Sequence, residues 1–144
     1  MTILIYNSMS TILLDNKTIK LTHLTGQKIN SDILIMRGYF DIANFNHKPF
    51  FLAKIVFIIN CDKNFVYFWL NRHRFPNLET VYLASHPCEL DTLYRNFKYI
   101  YLSDRYERYK GRWAKNRDNV IVMPHDDIIE LSYTYDITNE TITD

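Results

Sequence analysis

The sequence predicts a small α/β domain of three layers, with a mainly parallel central sheet and an antiparallel β extension at its N-terminus. Three observations carry this. Four apolar runs, Ile55–Ile59, Val81–Ala84, Tyr99–Leu102 and Val120–Met123, are four or five residues long and do not alternate with polar residues. Such runs suit strands buried on both faces, as in a parallel sheet covered by its crossover connections. Each run leads directly into residues that open helices, and the intervals between runs have room for a helix or a single helical turn.

Taken in order, Thr2 to Tyr6 and Thr11 to Leu14 read as strands split by the turn signal Asn7-Ser8-Met9-Ser10. Thr18 to Leu24 alternates like a half-exposed strand, and Ile33-Leu34-Ile35-Met36 is a further strand. Asp41 to Lys48 is a polar loop closed by Pro49. The expected organisation is one domain over 1–144, made of a β-rich extension (1–45), an α/β core (50–131) and a polar tail (136–144).

Within the core, Asn60-Cys61-Asp62 leads into the helix-like stretch Lys63 to Arg74. Ser85-His86-Pro87 precedes Glu89 and Asp91. Proline is tolerated in a first turn, and acids there suit the positive end of the helix dipole. Ser103-Asp104 follows the third run, and Asp104 with Glu107 has capping-box spacing. Pro124-His125-Asp126-Asp127 follows the fourth, and Ile128 to Tyr135 reads as one more edge strand.

A rival reading comes from Phe75 to Leu83 and Phe97 to Leu102. Both resemble the L-x-x-L-x-L phrase of leucine-rich repeats, and the steps between Val81, Ile100 and Ile121 are 19 and 21 residues. The Asn or Cys that should follow the phrase is replaced by His86 and Arg105. A short repeat array would shift the function toward protein binding.

Composition excludes several classes. With 47% hydrophobic residues the chain is globular rather than disordered. Glycine is scarce, at three residues, which argues against phosphate loops, and neither the Walker nor the dinucleotide-binding pattern is present. A net charge of +1 provides no overall field for steering onto nucleic acid or membrane. No apolar run approaches the length of a membrane-spanning helix, and Met1 to Leu14 lacks the form of a secretory signal. An intracellular protein with reduced thiols is expected. Frequent Ile, Asn, Tyr and Lys match the bias of AT-rich genomes, large DNA viruses among them; a viral origin would put the protein in the host cell.

Ligands of open α/β sheets bind outside the carboxyl ends of the strands. Three chemistries compete for those ends. His86, Asp104 and His125 are the candidate catalytic groups, an imidazole base with an orienting carboxylate. Ser85, Ser103, Arg105 and Asp126 are candidate ligand-binding groups for a phosphorylated or nucleotide-like molecule. Cys61, His86, Cys88 and His125 form a candidate tetrahedral zinc set, though without close C-x-x-C spacing. Against all three, such residues serve far more often as helix caps and loop side chains.

The stretch Arg105 to Arg117 holds six Lys or Arg and one acid, with Tyr106, Tyr109 and Trp113 on one helical face. Arg108, Arg112, Trp113 and Lys115 are the candidate nucleic-acid contacts. The plainer reading is a crossover helix with its aromatics on the sheet. Residues 118–144 carry seven acids and no Lys or Arg, so the two blocks can neutralise each other within the fold or between copies.

The pattern as a whole favours a self-associating protein-binding or assembly module without catalytic activity and without a cofactor. The alternative is a small Rossmann-like enzyme or binder of a phosphorylated ligand at the strand ends. Nucleic-acid binding through 105–117 is third.

Overall fold

The computed structural model describes residues 3–7, 11–14, 17–20, 28–37, 50–61, 75–87 and 97–143, with side chains for 30–37, 51–61, 75–87, 97–112 and 114–135. Ten strands are described: β1 (Ile3–Asn7), β2 (Thr11–Leu14), β3 (Lys17–Lys20), β4 (Lys28–Ile29), β5 (Ile33–Arg37), β6 (Phe50–Phe51), β7 (Ile55–Ile59), β8 (Thr80–Ala84), β9 (Tyr99–Ser103) and β10 (Val120–Met123). Two α-helices accompany them, α1 (Glu107–Trp113) and α2 (His125–Thr143), with a 3-10 turn over Asp104–Tyr106.

The main sheet has the order β10-β9-β8-β7-β5-β1-β2-β3. From β10 to β5 every neighbour is parallel. The four apolar runs are β7 to β10, each within a residue of its expected bounds. Their alternate residues face opposite ways. Leu34, Met36, Val56, Ile58, Val81, Leu83, Ile100, Leu102 and Val120 enter one apolar cluster, together with Phe51, Phe75, Leu78, Phe97 and Ala114 from the connections. Ile33, Ile35, Phe57, Ile59 and Ala84 enter the other, closed by Ile128 of α2 with Ile129, Leu131 and Tyr135 packed around it. The result is three layers: connections, sheet, and α2.

Crossover helices were expected on both faces, but the described parts of all connections from β5 to β10 pack on one face. The strand order from β5 to β10 runs without reversal. A doubly wound sheet reverses at a switch point, and the crevice there is its ligand site; here the order turns back between β1 and β5, away from the ends of β8 to β10. Among the described residues the opposite face is covered by α2, which packs over β8 and reaches β1.

Three local expectations are corrected. Ile128 to Tyr135 is helix rather than strand. The burial of His125, Ile128 and Ser132, with Tyr135 half-buried, recurs at steps of three and four, the helical period. The Pro124 carbonyl accepts from the amides of Asp127 (3.1 Å) and Ile128 (3.3 Å), and Asp126 and Asp127 occupy the favourable first turn. The β-branched Ile and Thr residues concealed that period. The helix also continues through the expected polar tail to Thr143.

Among the described strands, the N-terminal extension is antiparallel only in part. β5 belongs to the central sheet, and β1 pairs with it in parallel, Ile3 to Ile33 through Asn7 to Arg37. Only β2 and β3 run antiparallel, β2 on β1 and β3 on β2. The third correction concerns Asp104, whose role emerges with the site below. The helices expected over Lys63 to Arg74 and after Cys88 lie outside the described residues.

Across the sheet, one row of opposed residues runs Ile35, Phe57, Tyr82, Tyr101, Ile121. The rings of Phe57 and Tyr82 stack at 4.5 Å and 7°, and those of Tyr82 and Tyr101 at 4.7 Å and 10°. Aromatic pairs of this kind add about 0.5–1.5 kcal/mol to simple burial. The row is fully buried at Phe57 and opens toward the β10 edge, where Ile121 is 36% exposed.

Candidate functional site

The carboxyl ends of β7 to β10 bring the chemistry-bearing residues into three separate groups. The first joins β7 to β8. The buried Ser85 hydroxyl accepts from the Cys61 amide at 2.9 Å and donates to the Ile58 carbonyl at 3.3 Å. The Cys61 thiol lies 3.6 Å from the Ile59 carbonyl. Between these strands Asn60 adopts φ 55°, a left-handed conformation that asparagine tolerates better than most residues. Both Ser85 lone-pair and proton are therefore engaged by backbone, tying two strand ends together.

The second group joins β9 to the start of α2. Ser103, fully buried, places its Oγ 2.7 Å from His125 Nδ1 and 3.2 Å from the Arg105 amide, which donates to it. Asp104 Oδ1 accepts from the His125 amide at 3.1 Å. Asp104 thus satisfies an orphan amide at the beginning of α2 instead of forming a capping box with Glu107. Ser103 caps the 3-10 turn, and α1 begins at Tyr106 without a side-chain cap. This is the correction to Asp104: a carboxylate 21 residues away in sequence caps the second helix, which local spacing cannot reveal.

Burial holds the His125 imidazole below its ordinary range. The nearby Arg105 guanidinium acts in the same sense, and Asp126 and Asp104 oppose it. His125 is accordingly neutral near pH 7. The Arg105 amide also donates to Ser103 Oγ, and the Ser103 Oγ–His125 Nδ1 contact carries one proton, given by whichever partner the tautomer makes the donor. A serine hydroxyl donating to an imidazole has the form of an activated nucleophile. Here Ser103 has no exposed surface and His125 only 7%, so the pair seals the joint between sheet and helix. Asp126 and Arg105 are both exposed at its rim.

The third group joins β8 to α1. His86 Nε2 lies 2.9 Å from the Tyr109 hydroxyl, and its ring is 4.6 Å from the Tyr109 ring and 6.0 Å from that of Tyr106. Arg108 donates to the Tyr109 hydroxyl at 3.2 Å and lies over its ring at 4.9 Å. Arg108, Tyr109 and Arg112 line a cavity of about 190 Å³. His86 therefore belongs with the basic aromatic helix, and His125 with Ser103. The three expected catalytic residues are divided between these groups. Lys115 is exposed beyond α1; the Trp113 side chain lies outside the described ones.

The zinc set is likewise divided, and Cys88 lies outside the described residues. Among the described residues no group of three or more His, Cys, Asp or Glu is arranged to hold a metal ion. A larger depression, about 370 Å³, lies at the opposite edge of the sheet, lined by Lys54, Glu79 and Lys98 just before β7, β8 and β9. No described helix is long and apolar enough to cross a membrane.

Two features were not legible from residue types. Tyr109 reads as a sheet-packing aromatic, yet its hydroxyl joins His86 to Arg108. Ile121 reads as a buried strand residue, yet it and Tyr99, 41% exposed, face outward on the α2 side of the sheet. Helix α2 leans toward β8 and β1 and leaves the beginnings of β9 and β10 open.

Comparison with known proteins finds a match over residues 34–114 to the model of a family of unknown function, DUF5845. That span includes β5 to β9 and α1. The chain is 38% identical over 102 residues to the uncharacterized protein R849 of Acanthamoeba polyphaga mimivirus, covering 71% of this chain and 72% of the relative. It is 34% identical over 99 residues to the uncharacterized protein L163 of the same virus, covering 69% and 72%. No solved structure matches.

Proposed function

The chain belongs to DUF5845, a family of unknown function, and on that premise we propose that it is a non-catalytic protein-binding module that assembles with a second copy of itself through β10. The single observation behind this is the β10 edge. β10 ends the sheet, and its Ile121 side chain is exposed at the end of the stacked row of Phe57, Tyr82 and Tyr101. An uncharged edge strand with an exposed aliphatic side chain is a template for pairing. Tyrosine-rich, partly apolar surface is also typical of the centre of protein interfaces.

The backbone supports a specific geometry. Ile100 donates to the Asn119 carbonyl at 2.8 Å, so by the alternation of a parallel ladder Asn119, Ile121 and Met123 turn their backbone groups to β9. The Val120 carbonyl and both Val122 groups then point away from the sheet. A second β10, antiparallel about a two-fold axis at Ile121, pairs each Val122 amide with Val120 of the partner subunit. It opposes the two Ile121 side chains in a close, non-hydrogen-bonded pair. Charge agrees: Lys115 and Arg117 precede β10, whereas Asp126 and Asp127 follow it, so antiparallel strands set the basic end of one beside the acidic end of the other.

The absence of catalysis is supported by how the strand-end polar groups are used. Ser85, Ser103, Asp104 and His125 are committed to backbone and to one another. The mimivirus relatives make the interior of the host cell the inferred setting.

Sedimentation velocity over a range of concentrations tests the proposal. The wild-type chain is expected to reach twice its 17.3 kDa mass, and Ile121→Lys to remain monomeric with an unchanged far-UV circular dichroism spectrum. A wild-type monomer at high concentration, or a dimer that survives Ile121→Lys, overturns it.

A further inference from the structure

We infer that the cavity on α1 is a binding site for a single phosphoryl group, held between Arg108 and Arg112 beside Tyr109. The inference goes beyond self-assembly and uses a different part of the molecule.

Its basis is the arrangement of two guanidiniums around one concavity that Tyr109 also lines. Arg108 and Arg112 are four residues apart, one turn of helix, and both line the cavity with Tyr109. Guanidinium groups present planar forks that match phosphate oxygens and keep their charge at any physiological pH. A carboxylate is satisfied by one such fork. A tetrahedral dianion accepts from several directions at once and makes use of two guanidiniums.

The site is also preorganised. Arg108 is held on the Tyr109 ring at 4.9 Å and bonded to its hydroxyl at 3.2 Å. Tyr109 is in turn held by His86 at the end of β8, 2.9 Å from its hydroxyl, with the imidazole packed against both Tyr106 and Tyr109. An arginine stacked before the ligand arrives loses less side-chain freedom on binding. The sheet thus fixes one wall of the site through His86, and the helix supplies the charge.

Size and field narrow the ligand. The cavity, about 190 Å³, is smaller than the roughly 300–1,000 Å³ of sites that enclose drug-sized molecules. It admits a phosphoryl group and leaves the rest of a phosphate monoester outside. Arg105, Lys115 and Arg117 are exposed on the same segment, with Glu107 the one acid from Arg105 to Arg117, so the local field is positive although the chain as a whole is nearly neutral. A free phosphate and the terminal phosphate of a nucleotide or sugar share the chemistry that this site reads.

Isothermal titration calorimetry of the full chain in phosphate-free buffer tests it, with inorganic phosphate, a nucleoside monophosphate and a single-stranded oligonucleotide as separate probes. One phosphate is expected per chain. Arg108→Gln and Arg112→Gln should each weaken it about tenfold or more, equal to about 1.4 kcal/mol. Arg117→Gln, which removes the same charge outside the cavity, should change it less than about twofold. Binding should persist in Ile121→Lys, which separates this site from the pairing edge. Tighter binding of the monophosphate than of phosphate identifies an ester as the ligand source; equal binding identifies free phosphate. Three results overturn the inference. One is no phosphate binding by the wild-type chain. Another is equal weakening in all three arginine variants. The third is binding of the oligonucleotide alone, with a steep salt dependence, which assigns the arginines to a nucleic-acid backbone instead.

Discussion

Ser103→Ala probes the joint between the sheet and α2. The hydroxyl is fully buried, 2.7 Å from His125 Nδ1, and accepts from the Arg105 amide at 3.2 Å. Removing it deletes a hydrogen bond worth about 0.5–1.5 kcal/mol net and leaves a buried imidazole nitrogen without its partner, a penalty of about 1–3 kcal/mol. It also removes the cap of the 3-10 turn, worth about 1 kcal/mol. These costs overlap, and the expected loss is about 2–4 kcal/mol out of the roughly 5–15 kcal/mol available to a domain. Urea unfolding followed by circular dichroism reads the loss. With a slope near 2 kcal/mol/M, the midpoint should fall by about 1–2 M at an unchanged slope. Protein concentration must be fixed, because linked assembly adds to apparent stability. His125→Leu supplies the second arm of a cycle. Without the imidazole, Ser103→Ala should cost little more than the cap, giving a coupling of about 1–2 kcal/mol. A cost below about 0.5 kcal/mol, or additivity of the two substitutions within about 0.5 kcal/mol, refutes the reasoning.

Two further expectations concern the same joint. His125 titrates below its ordinary value of 6.5 in the folded chain, so the unfolded chain binds more protons once the pH drops beneath that value. Stability should therefore be flat above neutrality and fall as the pH is lowered from 6.5 toward the folded value, with His125→Leu flattening the decline; a urea midpoint that rises toward pH 5.5 contradicts this. Asp104→Ala removes the acceptor of the His125 amide and should cost about 1 kcal/mol. Because Asp104 also favours the charged imidazole, the same change should lower the His125 pKa further, visible in an NMR titration of its ring protons.

The parallel core was legible because its signal is local. Ile55–Ile59 and Val120–Met123 are β-branched runs without polar alternation, and a strand covered on both faces requires nothing else of its own sequence. Ile128 to Tyr135 failed for the complementary reason. Its β-branched content favours a strand, but the anchoring of His125 by Ser103 and Asp104 commits the chain to a helix, and tertiary packing outweighs intrinsic propensity. The candidate site residues follow the carboxyl ends of β7 to β10, a placement that strand order along the chain dictates. Their grouping was not accessible. His86 meets Tyr109 across 23 residues and His125 meets Ser103 across 22, and no periodicity links positions so far apart.

By itself, then, the sequence determined the element types of the core, the lack of phosphate loops, and the set of polar residues at the strand ends. Only the tertiary structure decided which of those residues meet, that the connections share one face while α2 crosses the other, and that β10 is an edge. The physical reason is the same in each case. Strand formation and local charge are properties of adjacent residues, whereas pairing order, burial and hydrogen-bond partners depend on which distant segments exclude water together. Ile121 states the difference in one residue: its neighbours make it a strand residue, and the place of β10 at the end of the sheet leaves it 36% exposed.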